Sequence, residues 1–126
     1  MSPEQFEKGL EVRRAVMGDA FVERALANLD DFSRPLQELV TGYAWGEIWT
    51  RPRFDERTRR VLVIGTMVAL GQWDEFRLHV RAALAEGGFS ADDIKEILRQ
   101  QAIYCGVPAA NHAVKEAAAI VAELGL

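Results

Sequence analysis

Helix-opening and helix-closing residues alternate along this chain from one end to the other. Ser2-Pro3-Glu4-Gln5 combines an N-cap serine, a proline at the first helical position and a glutamine that completes a capping box. The helix it opens is expected to run to about Met17 and to stop at Gly18. Asp19 opens a second helix, to about Leu29. Ser33, with Pro35 and Glu38 behind it, opens a third that reaches Tyr43 or beyond. Asp55 opens a fourth, ending near Leu70-Gly71, and a fifth occupies 74–86 before Gly87-Gly88. Ser90 and Asp93 form another capping-box start, for a helix to about Tyr104. Gly106-Val107-Pro108 is a break, and Pro108 opens a last helix that ends at Gly125. No stretch alternates convincingly with period two and no Asn-Gly hairpin signal occurs. The expected fold class is all-α.

The 126 residues suit one domain spanning 1–126, and with 49% hydrophobic residues such a chain can bury a core. The longest nearly unbroken apolar run, Val61–Leu70, is too short to span a bilayer, which takes about 20 residues. It reads instead as a buried central helix, and a subunit interface would bury it more readily than a single short chain can. No N-terminal apolar run ends in a small-residue cleavage site, and the single cysteine, Cys105, excludes an internal disulfide. A reduced, cytoplasmic setting follows. A net charge of −4 without a basic, aromatic-interleaved stripe disfavours nucleic acid as a partner.

Three constellations can carry chemistry. The first is "YAWGEIWTRP", residues 43–52, which sets Glu47 and Arg51 among Tyr43, Trp45 and Trp49. A core segment explains the aromatics but not the charges, and a surface loop explains the reverse. Just beyond it, Arg51, Arg53, Arg57, Arg59 and Arg60 face only Asp55 and Glu56, where a helix N-terminus already disfavours positive charge. Either acidic side chains of other helices or subunits answer these arginines, or a small anion such as a polycarboxylate does. The second is His79, at the edge of an apolar stripe and one turn from Glu75; an ordinary histidine titrates near neutrality. His112 lacks comparable surroundings. The third is "YCGVPAAN", residues 104–111, which brings Tyr104 and Asn111 near one turn; a plain helix connection with a buried phenol would look the same. No HExxH, P-loop, GxGxxG or GxSxG occurs, and histidines are too few for a convincing metal site.

The stretches "LVTGYAWGEIWTRP", "DERTRR", "LGQWDEFRLHVRAAL" and "QAIYCGVPAAN" stand in this order along the chain. Together they resemble the carboxymuconolactone decarboxylase family, in its protocatechuate-degrading branch, from about Gly9 to the C-terminus. The resemblance implies an all-helical, alkylhydroperoxidase D-like fold assembled as a trimer or hexamer, acting on a small dicarboxylate lactone with no cofactor and no metal. It implies that Trp45 and Trp49 wall a site, that Arg51 anchors a substrate carboxylate, that Glu47 and His79 are catalytic, and that Tyr104 adds a hydrogen bond. Which of His79 and Glu47 delivers the proton stays open.

Redox relatives carry Cys-x-x-Cys where this chain has Gln72 and Glu75, so thiol chemistry is not expected. The chain departs from the branch's pattern at Arg53-Phe54, at Gly87-Gly88, and at Arg60, where a small serine is usual. An extra cation near the pocket suggests a different lactone or a keto acid as an alternative substrate. A helical oligomeric binding module without turnover is the other alternative.

Overall fold

The computed structural model describes residues 1–126 as seven α-helices and one π-helix. They form two compact units, Met1–Glu56 and Arg57–Leu126.

The first unit contains α1 (Pro3–Met17), α2 (Asp19–Ala27), α3 (Arg34–Leu39) and a π-helix (Val40–Ile48). Ser2 caps α1 by accepting the Gln5 N–H at 3.1 Å. The Gln5 side chain does not complete the expected reciprocal box. Its Nε2 donates instead to the Gly42 carbonyl at 2.8 Å, tying α1 to the π-helix. Gly18, at φ 92°, ends α1 and starts α2, so Asp19 is the first residue of α2 and not its cap.

Glycines at both ends of the contact bring α1 and the π-helix together backbone to backbone. A Cβ on Gly9 would stand 1.9 Å from the Thr41 carbonyl oxygen, and one on Gly46 would stand 2.5 Å from the Gln5 carbonyl oxygen. Arg13 is buried in the same unit, donating to Thr41 Oγ1 and Gln37 Oε1, each at 3.3 Å.

The second unit contains α4 (Glu56–Leu70), α5 (Trp73–Ala85), α6 (Ala91–Cys105) and α7 (Val107–Glu123). Its core joins Ile64 and Val68 of α4, Phe76 and Val80 of α5, Ile94 of α6, and Ala113 of α7. The expected capping box at the start of α6 is present: Ser90 Oγ accepts the Asp93 N–H at 3.2 Å, and Asp93 Oδ2 accepts the Ser90 N–H at 2.8 Å.

Helix α4 corrects the expectation of an all-round buried helix. Arg60, Ile64, Gly65 and Val68 face inward, while Val61, Leu62 and Leu70 are exposed. The run is apolar all round in composition, but packing within the chain covers only one side of it.

Candidate functional site

In "YAWGEIWTRP", Trp45 and Gly46 turn inward and Glu47 and Arg51 turn out. The segment winds as a π-helix, with the Trp49 N–H donating to the Ala44 carbonyl, five residues back, at 2.9 Å. π-Helical geometry is rare, and where it occurs, mostly as single-turn bulges, it is frequent at functional sites. Trp45 and Trp49 lie against each other with ring centroids 4.8 Å apart and planes 36° apart. Thr50 Oγ1 donates to the Gly46 carbonyl at 2.9 Å and the Glu47 carbonyl at 3.1 Å, satisfying the end of the coil. Glu47 and Arg51 approach to 3.8 Å and line a surface cavity of about 400 Å³ with Gln5 and Tyr43. Both side chains are solvent-exposed, so the pair contributes only a few tenths of a kcal/mol.

The remaining expected residues belong to the second unit. His79 is 8% exposed on the inner face of α5. Its Nδ1 is buried and makes no hydrogen bond within the protein. Its Nε2 stands 3.8 Å from Glu75 Oε2, too far for a hydrogen bond, and Glu75 is largely in solvent. Burial, and after it the positive charge of Arg60, pull the His79 pKa down to about 4. The screened Glu75 carboxylate does not reverse this. The imidazole is therefore neutral at pH 7, which corrects the expectation of a group titrating near neutrality.

Tyr104 is 80% exposed on the last turn of α6, so the phenol is not buried in a helix connection. Asn111, on α7, is also exposed. Gln101, one turn before Cys105, donates through Nε2 to the Gly65 carbonyl at 3.1 Å and to Cys105 Sγ at 3.4 Å. His112 has more company than its sequence neighbours suggest. It stacks on Trp73 at 4.1 Å between centroids and meets Glu116 Oε1 at 3.3 Å, while Glu116 is held by Arg77 at 2.8 Å.

The arginines of 51–60 divide into different roles. Arg57 pairs with Asp93 at 2.9 Å and lies over the Phe89 ring at 4.3 Å, so an acidic side chain of another helix answers it. Arg60 is 1% exposed, the most deeply buried charge in the chain. It packs on Gly87, where a Cβ would lie 2.6 Å from its Nε. The sequence marks Arg60 and Gly87 separately as departures and carries no sign that the two touch.

The carboxymuconolactone decarboxylase family model matches residues 34–119, a span that contains Trp45, Glu47, Arg51, Arg60, His79, Gly87 and Tyr104. A 4-carboxymuconolactone decarboxylase of Acinetobacter baylyi is 39% identical over 127 residues, covering 100% of this chain and 94% of that protein. A nitrosuccinic acid decarboxylase of Metarhizium robertsii is 39% identical over 109 residues, covering 86% of this chain and 76% of that protein. A 4-carboxymuconolactone decarboxylase of Pseudomonas putida is 46% identical over 44 residues, covering 35% of this chain and 92% of that sequence.

Proposed function

This chain belongs to the carboxymuconolactone decarboxylase family, and on that premise we propose that it decarboxylates 4-carboxymuconolactone to the β-ketoadipate enol-lactone in aromatic catabolism. The observation that carries this reading is the correspondence with the Acinetobacter baylyi decarboxylase along the entire chain.

The substrate is an unsaturated five-membered lactone with two carboxylates. The departing one sits on the ring carbon next to the ring oxygen. When its C–C bond breaks, the electron pair spreads through the ring double bond to the lactone carbonyl, giving an oxyfuran dienolate. A proton added at the ring carbon beside that carbonyl yields the enol-lactone. The ring accepts the electrons itself, so the protein's task is to bind, to stabilise the developing oxyanion and to deliver a proton.

We assign Arg51 to the retained carboxylate, where its planar fork can donate two parallel bonds, and Tyr104 to a further hydrogen bond. Trp45, with Trp49, supplies an apolar wall that excludes water. His79 enters as neutral imidazole, which supports a role as hydrogen-bond donor to the oxyanion over a role as imidazolium acid. Proton delivery then falls to Glu47. Residues 1–126 act as a carboxymuconolactone decarboxylase-like domain, and the chain works as a homo-oligomer, a trimer or hexamer, in the cytoplasm. The exposed Val61, Leu62 and Leu70 side chains of α4 support the assembly, because exposed apolar side chains are favoured against another apolar surface.

The nitrosuccinic acid decarboxylase relative favours a second reading, a different substrate for the same chemistry. Both compounds contain a succinate skeleton with one carboxyl on a carbon attached to an electron acceptor: the unsaturated lactone in one, the nitro group in the other. Incubating the pure protein with each compound and measuring CO2 and product separates the readings. Turnover of the lactone alone supports the first, turnover of nitrosuccinate alone the second. No turnover of either at high enzyme concentration leaves a non-catalytic binding module.

A further inference from the structure

Helix α3 buries none of its residues. Phe32, in the turn that leads into it, is 96% exposed, and Leu36 and Leu39 are exposed as well. The Arg34 N–H donates to the Asp30 carbonyl, four residues back, at 2.9 Å, so this turn already winds as a helix. Phe32, Leu36 and Leu39 are spaced four and three residues apart, the interval that sets side chains on one helical face. Single apolar side chains are ordinary on a surface; an aligned row of three is not. The row is also held in place. The Ser33 N–H donates to Asp30 Oδ1 at 2.8 Å, and the Asp30 N–H donates to Ser33 Oγ at 3.1 Å. Phe32 lies between the two ends of that clamp, which presents its ring to solvent. Asp30, Asp31 and Glu38 stand on the same segment against one cation, Arg34.

A surface of complementary character lies between α6 and α7. The two helices leave an apolar groove of about 750 Å³, with Leu98, Ala110 and Ala117 at its buried base and Val107 and Val114 at its exposed margin. The charged residues that line it are both cations, Lys95 and Arg99. Their own partners, Asp92 and Glu96, lie one turn back at 3.4 Å and 3.9 Å, and exposed pairs of this kind hold a cation weakly. At 1.5 Å per residue the groove runs roughly 20 Å along α7 from Val107 to Val121, and the row from Phe32 to Leu39 needs roughly 10 Å.

We infer that the α6–α7 groove is the docking site for a second copy of this chain, which inserts its Phe32–Leu36–Leu39 row. The row covers the apolar base, and the acidic residues around it face Lys95 and Arg99. An amphipathic helix laid in an apolar groove is a recurring mode of recognition, read from anchors at this spacing. One chain carries both halves, with the sign of charge reversed between them, and this decides for a second copy over an unrelated helix. Row and groove are different surfaces, so the contact is heterologous. Each copy gives one row and receives another, and a ring forms where the rotation closes. The inference rests on the homo-oligomer of the proposed function and names two faces that build it, apart from α4.

Two substitutions at exposed positions separate row from groove. Phe32→Asp removes the leading anchor, and Val114→Glu sets a carboxylate where the acidic row arrives. Neither side chain belongs to the core, and circular dichroism checks that each variant stays helical. In sedimentation velocity each variant alone should form a smaller assembly than wild type. Mixed in equal amounts, the two should associate again. The Val114→Glu copy keeps a working row and the Phe32→Asp copy a working groove, so one contact forms and no ring closes through it. Charge reversal adds a second measurement. A groove carrying Lys95→Glu and Arg99→Glu should bind an Asp31→Lys row more tightly than the wild-type row, the reverse of the wild-type groove's preference. Asp31 serves here because Asp30 also holds the turn.

A wild-type monomer at micromolar concentration would remove the homo-oligomer and this contact together. Three results overturn the contact alone and leave the oligomer to other faces: an assembly that Phe32→Asp and Val114→Glu both leave intact, variants that do not recombine on mixing, or a preference that charge reversal does not change.

Discussion

Gly9 of α1 lies so close to Thr41 of the π-helix that a single added methyl would stand 1.9 Å from the Thr41 carbonyl oxygen. Backbone meets backbone there, and neither side has a flexible end to give way. Gly9→Ala should therefore force α1 off the π-helix and destabilise the protein by at least about 1–3 kcal/mol, as overpacking does. Gly42→Ala is the matched control, since the atom in its way is the flexible Met1 thioether. Urea denaturation of the two variants checks this. An equal, small effect at both sites would mean that the α1 contact yields.

His79 sets a second expectation. Its folded pKa of about 4 lies below the roughly 6.5 of an unfolded histidine. Between those values the unfolded chain holds more protons, so stability rises with pH across the window. The contribution is complete above about pH 6.5 and is lost as pH falls toward 4. It is worth roughly 3 kcal/mol. Denaturation midpoints measured through this window should drop on acidification, and His79→Gln should flatten that part of the curve.

The same titration predicts the pH dependence of catalysis. With neutral imidazole required, kcat should fall as pH drops toward 4, and that limb should vanish in His79→Gln. His79→Ala should lower kcat by about a hundredfold or more while the protein stays folded. A limb of opposite sign, with activity falling as pH rises and the limb absent from His79→Gln, would restore the imidazolium as the acid.

Arg51→Lys separates an ion pair from a carboxylate anchor. The existing pair with Glu47 is 3.8 Å long and exposed, so its loss should hardly move stability. Loss of two-point binding to a substrate carboxylate should instead lower kcat/KM by about tenfold to a hundredfold. Wild-type kinetics in Arg51→Lys would make Arg51 a structural partner of Glu47 and no more.

The exposed apolar side chains of α4 predict the assembly. Leu62 is 53% exposed in the isolated chain. If Leu62 lies in an interface, light scattering should report an oligomer at micromolar concentration, and Leu62→Glu should break or weaken it. A stable wild-type monomer would contradict the assembly.

The helices and their order are legible in the residues alone, because their signals act within one turn of chain. Ser2 and Ser90 cap the helices that follow them, Gly18 and Gly106 take positive φ at the breaks, and Pro3 and Pro108 sit in first turns where no N–H is missed. Helical periodicity puts His79 at the edge of the apolar stripe of α5, and the fold buries it. The features that had to wait for the fold depend on groups far apart in the chain. Gln5 leaves its own helix cap for Gly42, and the segment after Leu39 winds into a π-helix pressed against α1. Val61, Leu62 and Leu70 are exposed although their composition alone reads as core. Arg60 looks like one more member of an arginine cluster until Gly87, twenty-seven positions on, is seen to leave the space it fills. Burial of the ring itself, and after it the charge of Arg60, give His79 a low pKa that no local pattern could disclose: desolvation and Coulomb forces depend on distance in space and not on spacing in sequence.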